Sequence, residues 1–310
     1  MIDNLVYVFL ENTFTLKGGN TFPYTYENIP DYYLETINFN KTKFNKTFLI
    51  VTENQKNKIK SQIPADIDLI TVESLHSSKL YISFQESFQA KWSHYKNDVF
   101  LYHAFLRVLY YSLLVYEYNL INTIHAEADN LIYSNNVDVF NEVFKDGEFG
   151  FSNEKIPNSA PAIIFFKNKA AAENLLDLHI KLLNKGEQNI IQASGIGFQY
   201  ITDMNFLFFI SQYGKNYKML PCLPYGNQSQ NFDMFKMVFD PTSYGQYLGG
   251  TNNGHSAGFI DPEHYVGREL STNNIQVKFI NNAPHIKYQD KDIPIFNLHI
   301  QNKKAIKNFL

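Results

Sequence analysis

The 310-residue chain has a single cysteine, Cys222, and a single tryptophan. One thiol cannot close an internal disulfide, so a disulfide-stapled scaffold is excluded and a reducing, cytoplasmic setting is expected. Charge of one sign is also scarce. The 27 basic and 30 acidic residues leave a net of −3, which gives no basic field for tracking phosphate backbones and no charged tail. Nucleic acid is therefore not an expected partner. Long apolar runs are missing too. The opening MIDNLVYVFLENT holds only about six apolar residues before Glu11 and Asn12, too few for a signal peptide. No later stretch reaches the ~18 uninterrupted apolar residues of a transmembrane segment. A soluble protein is expected.

At 45% apolar content over 36.0 kDa, the chain can bury a large core, which excludes a disordered chain and fits one or two packed lobes. The abundance of Phe (27) and Tyr (21) accompanies an excess of Asn and Lys, the mark of an AT-rich genome, so aromatic content alone is not read as a sugar-stacking surface. The sequons at Asn40, Asn45 and Asn227 are attributed to the same Asn richness.

Short β-branched or aromatic runs alternate with helical stretches through the first half, the pattern of parallel strands joined by crossover helices. Strands are predicted at Leu5–Leu10, Lys46–Thr52, Ile67–Val72, Leu120–His125 and Pro161–Lys167. Helices are predicted over Asn28–Asn38, around Gln55–Gln62, over Asn97–Tyr118, from Ala170 to Leu183, and from an N-cap at Thr202 to Tyr213. After Asp240 a Gly-, Asn- and Ser-rich stretch reads as a loop of ~25 residues, a length usual for functional or disordered segments. Strand-like segments close the chain at Ile275–Ile280, His285–Tyr288 and Ile295–Ile300. With no repeat and no linker, residues 1–310 are read as one α/β unit with a mixed, mostly parallel sheet, flanking helices and a small C-terminal β element.

The segment INTIHAEADNLIY, Ile121–Tyr133, is the most informative. An apolar strand stops at Glu127 and Asp129, which in an extended chain point the same way and offer oxygens to a hard divalent cation. Strand carboxyl ends are also where open α/β sheets bind ligands. The plainer reading is a solvated turn. Arg107 lies within the preceding apolar helix, where an unpaired guanidinium is costly. It either extends outward to water or faces the acids and fixes a carboxylate or a bound phosphate.

In IFNLHIQNK, alternation places Asn297, His299 and Gln301 on one face of a strand. His299 is either a structural histidine or the third member of an oxygen and nitrogen set suited to manganese, with Lys303 beyond it to neutralise a phosphate. In ASGIGFQYITDM, Gly195 and Gly197 form a loop leading to Asp203, which either caps a helix or accepts a proton. In FDPTSYGQYLGG, Asp240 precedes Pro241 as a helix opening. The following TNNGHSAGF reads as a covering loop that brings His255 as an extra candidate.

Taken in order, HAEADN, Arg107, TDM, FDPTSYGQYLGG and NLHIQNK resemble nucleotide-sugar-dependent glycosyltransferases of the GT-A fold. The likeness is to bacterial and large-DNA-virus members with an acid-x-Asp-Asn motif and a closing Asn-Leu-His strand, and it runs from about Asn97 to the end. It implies a Rossmann-like GT-A fold with a nucleotide-binding half, 1–133, and an acceptor half, 134–310. It further implies Mn²⁺ (or Mg²⁺) held by Glu127, Asp129 and His299, with Glu where the family has its first Asp. The donor is implied to be a nucleoside-diphosphate sugar, UDP-linked rather than GDP-linked, and the acceptor a glycan or glycoprotein. Val6, Tyr7 and Val8 are implied to lie against the nucleobase, Arg107 and Lys303 to serve the phosphates, and Asp203 or Asp240 to act as base if the product is inverted. The alternative is a non-catalytic carbohydrate-binding protein on the same fold.

Overall fold

The structure, a computed structural model, describes residues 2–10, 12–15, 21–24, 28–94, 99–135, 137–194 and 201–310. In chain order its first half comprises β1 (Asn4–Val8), β2 (Asn12–Thr15), β3 (Thr21–Tyr24), α1 (Asp31–Lys41), β4 (Lys46–Val51), α2 (Glu53–Ile59), β5 (Ile67–Thr71), α3 (Lys79–Lys91), α4 (Val99–Glu117), β6 (Thr123–Ala126) and β7 (Asn130–Ile132). Then follow α5 (Val137–Val143), β8 (Phe149–Lys155), β9 (Asn158–Phe166), α6 (Lys169–Lys185), α7 (Glu187–Ser194), α8 (Asp203–Tyr213) and β10 (Tyr217–Met219). The last part holds α9 (Phe232–Phe235), α10 (Ser243–Gly249), α11 (Tyr265–Ser271), β11 (Gln276–Ile280), β12 (Ala283–Tyr288), β13 (Lys291–Pro294) and β14 (Asn297–His299).

Seven strands form the central sheet in the order β10-β8-β9-β6-β1-β4-β5. Only β9 runs against the others, pairing antiparallel with both β6 and β8. This is the mixed, mostly parallel sheet expected from the alternation of elements, and β11-β12-β13 supply the small antiparallel C-terminal sheet. The central strands are buried on both faces, so successive side chains enter opposite cores. Val6, Val8, Phe48 and Ile50 face the core shared with α3, α4, α6 and α8. Leu5, Tyr7, Leu49 and Val51 face the one shared with α1, α2 and α5. A third cluster, including Leu131, Tyr244, Val266, Ile286 and Leu298, joins the small sheet to α10, α11 and β14.

Local chemistry explains where the elements depart from the sequence pattern. α1 begins at Asp31 rather than Asn28, because the residue before Pro30 is biased against helix and Pro30 itself is the extended N-cap. α2 starts at Glu53, fixed by a reciprocal Thr52–Gln55 capping box. β8 escaped the pattern because Ser152, Asn153 and Glu154 sit buried within it. Gly150 is required there, since a Cβ would come within 2.6 Å of both the Lys218 carbonyl and the Phe144 ring. The polar stretch after Asp240 is not one long loop: α10 and α11 occupy both ends of it. Asn40 is fully buried, which removes that sequon from any modifying enzyme's reach.

Two histidines are deeply buried. His125 stacks on Tyr111 at 4.0 Å, and its Nδ1 donates to the Val6 carbonyl at 3.0 Å. His179 lies among Phe84, Phe105 and Phe206, with no hydrogen-bond partner for either ring nitrogen. Burial pushes each down from 6.5 to about 3. Each stays neutral in the fold while the unfolded chain takes up a proton below its ordinary value. Stability is therefore complete above pH 6.5 and falls as pH drops towards 3.

Replacing His179 with Leu removes two orphaned polar atoms from an apolar site and is expected to stabilise the fold by ~1–3 kcal/mol at pH 8. The gain should be about 2 kcal/mol larger at pH 5, where the native histidine opposes folding. Urea unfolding at the two pH values measures both effects, and a gain that does not grow on acidification would contradict the burial argument.

Candidate active site at the carboxyl end of the sheet

Glu127 directly follows β6. Its amide donates to Ala162 O at 3.1 Å, and its carbonyl accepts from Asn130 N at 3.0 Å. The chain therefore closes a tight turn over Glu127–Asn130 instead of remaining extended, and β7 follows at once. β7 pairs antiparallel with β14 in the register Asn130↔His299, Leu131↔Leu298 and Ile132↔Asn297. The pairing continues through Ile300 N to Asp129 O at 2.8 Å and Tyr133 N to Phe296 O at 2.8 Å. A residue 170 positions beyond Asp129 in sequence is thus brought beside both acids.

His299 Nε2 lies 3.4 Å from Glu127 Oε2 and 3.1 Å from Asp129 Oδ2. One donor atom from each of the three residues can be chosen so that all fall within 4.8 Å of one another. Among the described residues this is the sole His, Cys, Asp or Glu group with that spacing. A neutral imidazole lone pair cannot face two carboxylates so closely with nothing positive between them. Either a proton on Nε2 or a cation satisfies the arrangement.

Arg107, on α4, resolves its two alternatives in favour of the acids. NH1 donates to Glu127 Oε1 at 2.6 Å, and NH2 lies 3.4 Å from Asp203 Oδ2. Its guanidinium is engaged by carboxylates rather than left open to a phosphate. Loss of water works against the Arg107 charge, but Glu127 and Asp203 raise its pKa above the usual arginine value. Burial by itself pushes Glu127 up; Arg107 above all, then His299, His125 and Lys303, hold it at about 2. Lys303 bonds Asp129 Oδ2. Burial lowers its ammonium to about 8, with Glu127 pulling the other way.

Asp203 opens α8, and its Oδ1 accepts from Met204 N at 3.0 Å. Burial, with Arg107 opposing and Glu127 assisting, raises its pKa. The preceding glycines, Gly195 and Gly197, lie outside the described residues. Val6, Tyr7 and Val8 are buried in the two cores, and the Tyr7 hydroxyl accepts from Asn40 Nδ2 at 2.7 Å, so none offers a side chain to a nucleobase. β1 is an inner strand covered on both faces. His255 stacks on Phe259 at 4.2 Å and does not join the acids.

Asp240 is not placed as a base. Its Oδ1 accepts from Thr242 N and Tyr244 N, both at 2.9 Å, and its Oδ2 from Gly245 N at 2.8 Å and His299 N at 2.9 Å. Four donors on two oxygens use the carboxylate's acceptor capacity. Gly245 is indispensable to this contact, since a Cβ there would fall 2.1 Å from the His299 carbonyl.

Three buried amides complete the support, and the sequence reading missed their role. Asn40 Nδ2 donates to Asn130 O and Asn40 Oδ1 accepts from Ile132 N, at 2.7 and 2.8 Å. Asn297 Nδ2 donates to Asn130 Oδ1 at 2.7 Å. Asn297 on the polar face of its strand was the available signal; Asn40 gave none, because its partner lies 90 residues away. A second buried group also went unread. His264 Nε2 lies 3.5 Å from Glu154 and 3.3 Å from Asp261, while Ser243 Oγ meets its Nδ1 at 3.1 Å, which ties α10 to β8.

Asp240→Asn is expected to lower the unfolding free energy by about 3 kcal/mol, because a neutral amide turns an N–H₂ towards two of the four donors. Thermal and urea unfolding report it. A variant of unchanged stability that has lost only turnover would instead mark Asp240 as a base.

No family model and no curated protein sequence matches the chain. Solved structures similar to it include a mouse xyloside xylosyltransferase at 12% identity and TM-score 0.42, covering 71% of this chain and 85% of that one. The PaToxG glycosyltransferase matches at 15% and 0.38, covering 68% and 70%. The galactosyltransferase LgtC, solved with donor and acceptor sugar analogues, matches at 8% and 0.45, covering 99% and 94%.

Proposed function

We propose that the protein is a metal-dependent glycosyltransferase that moves a sugar from a nucleoside-diphosphate donor, UDP-linked in the first instance, to a hydroxyl of a glycan or glycoprotein. The observation that carries this reading is the meeting of Glu127, Asp129 and His299 at the carboxyl end of β6. Two hard oxygens and one imidazole nitrogen suit Mn²⁺ or Mg²⁺. Both acids and the imidazole already crowd a point that needs positive charge, so the residues fit the ion. A bound divalent cation would supply Lewis-acid stabilisation of the departing diphosphate.

The chain's own groups have separate tasks. Arg107 keeps Glu127 ionised and holds it together with Asp203. Lys303, paired with Asp129 beside the acids, would exchange that partner for a phosphate oxygen as negative charge develops there. The acceptor oxygen bonds to the anomeric carbon as the bond from that carbon to the diphosphate oxygen breaks. Asp240 is occupied by four amides, and Asp203 by Arg107 and the Met204 amide. Of the two, Asp203 would be the base in an inverting transfer; in a retaining one the departing phosphate would take the acceptor's proton.

Incubation with a panel of nucleotide sugars and Mn²⁺ is expected to consume one donor, with NMR showing the donor's anomeric configuration in the product. UDP with Mn²⁺ at 100 times Kd should add about 2.7 kcal/mol of stability. Asp129→Ala should abolish that increment and slow transfer on the order of 10²-fold or more. If no donor is consumed and no nucleoside diphosphate stabilises the protein, the reading fails; metal-independent glycan binding without turnover would favour the non-catalytic alternative.

A further inference from the structure

The small C-terminal sheet carries an open cleft of about 580 Å³ that shares no residue with the Glu127 site. It lies between the end of α11, the turn at Tyr225 and the β12–β13 hairpin. Tyr225 and Tyr288 stack within it, ring centres 4.5 Å apart and inclined by 23°. Asn273, Asn274, Gln276 and Gln289 line the rest, with Lys287 the one charged residue in the lining.

The chemistry narrows the occupant. A single lysine does not make a phosphate site, and the Asn273 and Asn274 amides beside it already donate to the Leu270 and Glu269 carbonyls. The nearby carboxylate, Glu269, is engaged by the Tyr225 hydroxyl and by Asn274 Nδ2 at 2.9 Å, so it is not open to a cation. The walls are too polar for an apolar ligand. Side-chain amides both donate and accept, which is the property of sugar hydroxyls, and tyrosine faces pack on the C–H faces of pyranose rings.

The turn adds an independent observation. Tyr288 pairs with Lys291, which leaves Gln289 and Asp290 as a two-residue hairpin loop, and Gln289 holds φ at +53°. Such a position favours Gly or Asn, and a longer side chain there costs ~1–2 kcal/mol. The side chain so placed donates its Nε2 to the Tyr288 hydroxyl at 3.4 Å, so that amide and ring together form one wall of the cleft.

We propose that this cleft is an accessory binding site for neutral oligosaccharides, holding a glycan acceptor away from the reacting centre. Its purpose rests on the transferase reading, whereas the binding itself does not.

The test uses the full chain in EDTA, without nucleotide, titrated by calorimetry and saturation-transfer NMR with chitohexaose, cellohexaose and maltohexaose. At least one should bind saturably. Tyr288→Ala and Gln289→Gly should each weaken it at least about fivefold. Gln289→Gly relieves the left-handed turn, so thermal stability should hold or rise while binding falls, which separates contact from fold. Asp129→Ala should leave binding intact even though it abolishes metal response. Absence of saturable binding to all three sugars, affinity unchanged in both cleft variants, or binding lost in Asp129→Ala would each overturn the proposal.

Discussion

The pairing of β14 with β7 is the constraint on which the candidate site depends. Two three-residue strands contribute few ladder bonds and would be marginal alone. What fixes them is a set of buried acceptors and amides. Asn297 bonds both Asn130 and the backbone of Asp240, Asn40 bonds the Asn130 carbonyl and the Ile132 amide, and the Asp240 carboxylate takes the His299 amide together with the first amides of α10. A one-residue slip would turn Asn297 and His299 into the apolar face and Leu298 outward. The amide network and the hydrophobic pattern thus specify the same register.

Electrostatics makes that geometry tolerable. Glu127, Asp129 and Asp203 would repel one another in a site shielded from water. Arg107 bridges two of them, and Lys303 and His299 meet the third. The result is a cluster in which each acid meets at least one basic partner. Arg107 and His299 each meet two carboxylates, whereas Lys303 pairs with one, Asp129.

Much of the fold was legible because it follows from local pattern. Inner strands read as continuous apolar runs, α4 shows helical spacing, and the capping residue Thr202 marks its helix start. The acid pair, Arg107, His299 and Lys303 were legible as residues whose chemistry is expensive without partners. β8 was not, since its buried Ser152, Asn153 and Glu154 mimic a loop and find their partners in distant elements. Asp240 was legible as a helix opening but not as an anchor for His299, since a carboxylate before a proline looks alike whether it faces a substrate or four backbone amides.

The sequence by itself determined the class of fold, the order of its elements and the residue types that require charged partners, because periodicity, caps and desolvation costs act over a few neighbouring positions. Only the tertiary structure decided which partner each obtained. It turned Arg107 to the acids rather than to water, sealed Tyr7 inside a core, fixed Asp240 as an anchor and brought His299 against Glu127 and Asp129. Those outcomes depend on strand register and on which chain segments meet, and register is set by packing and buried hydrogen bonds between residues far apart in sequence.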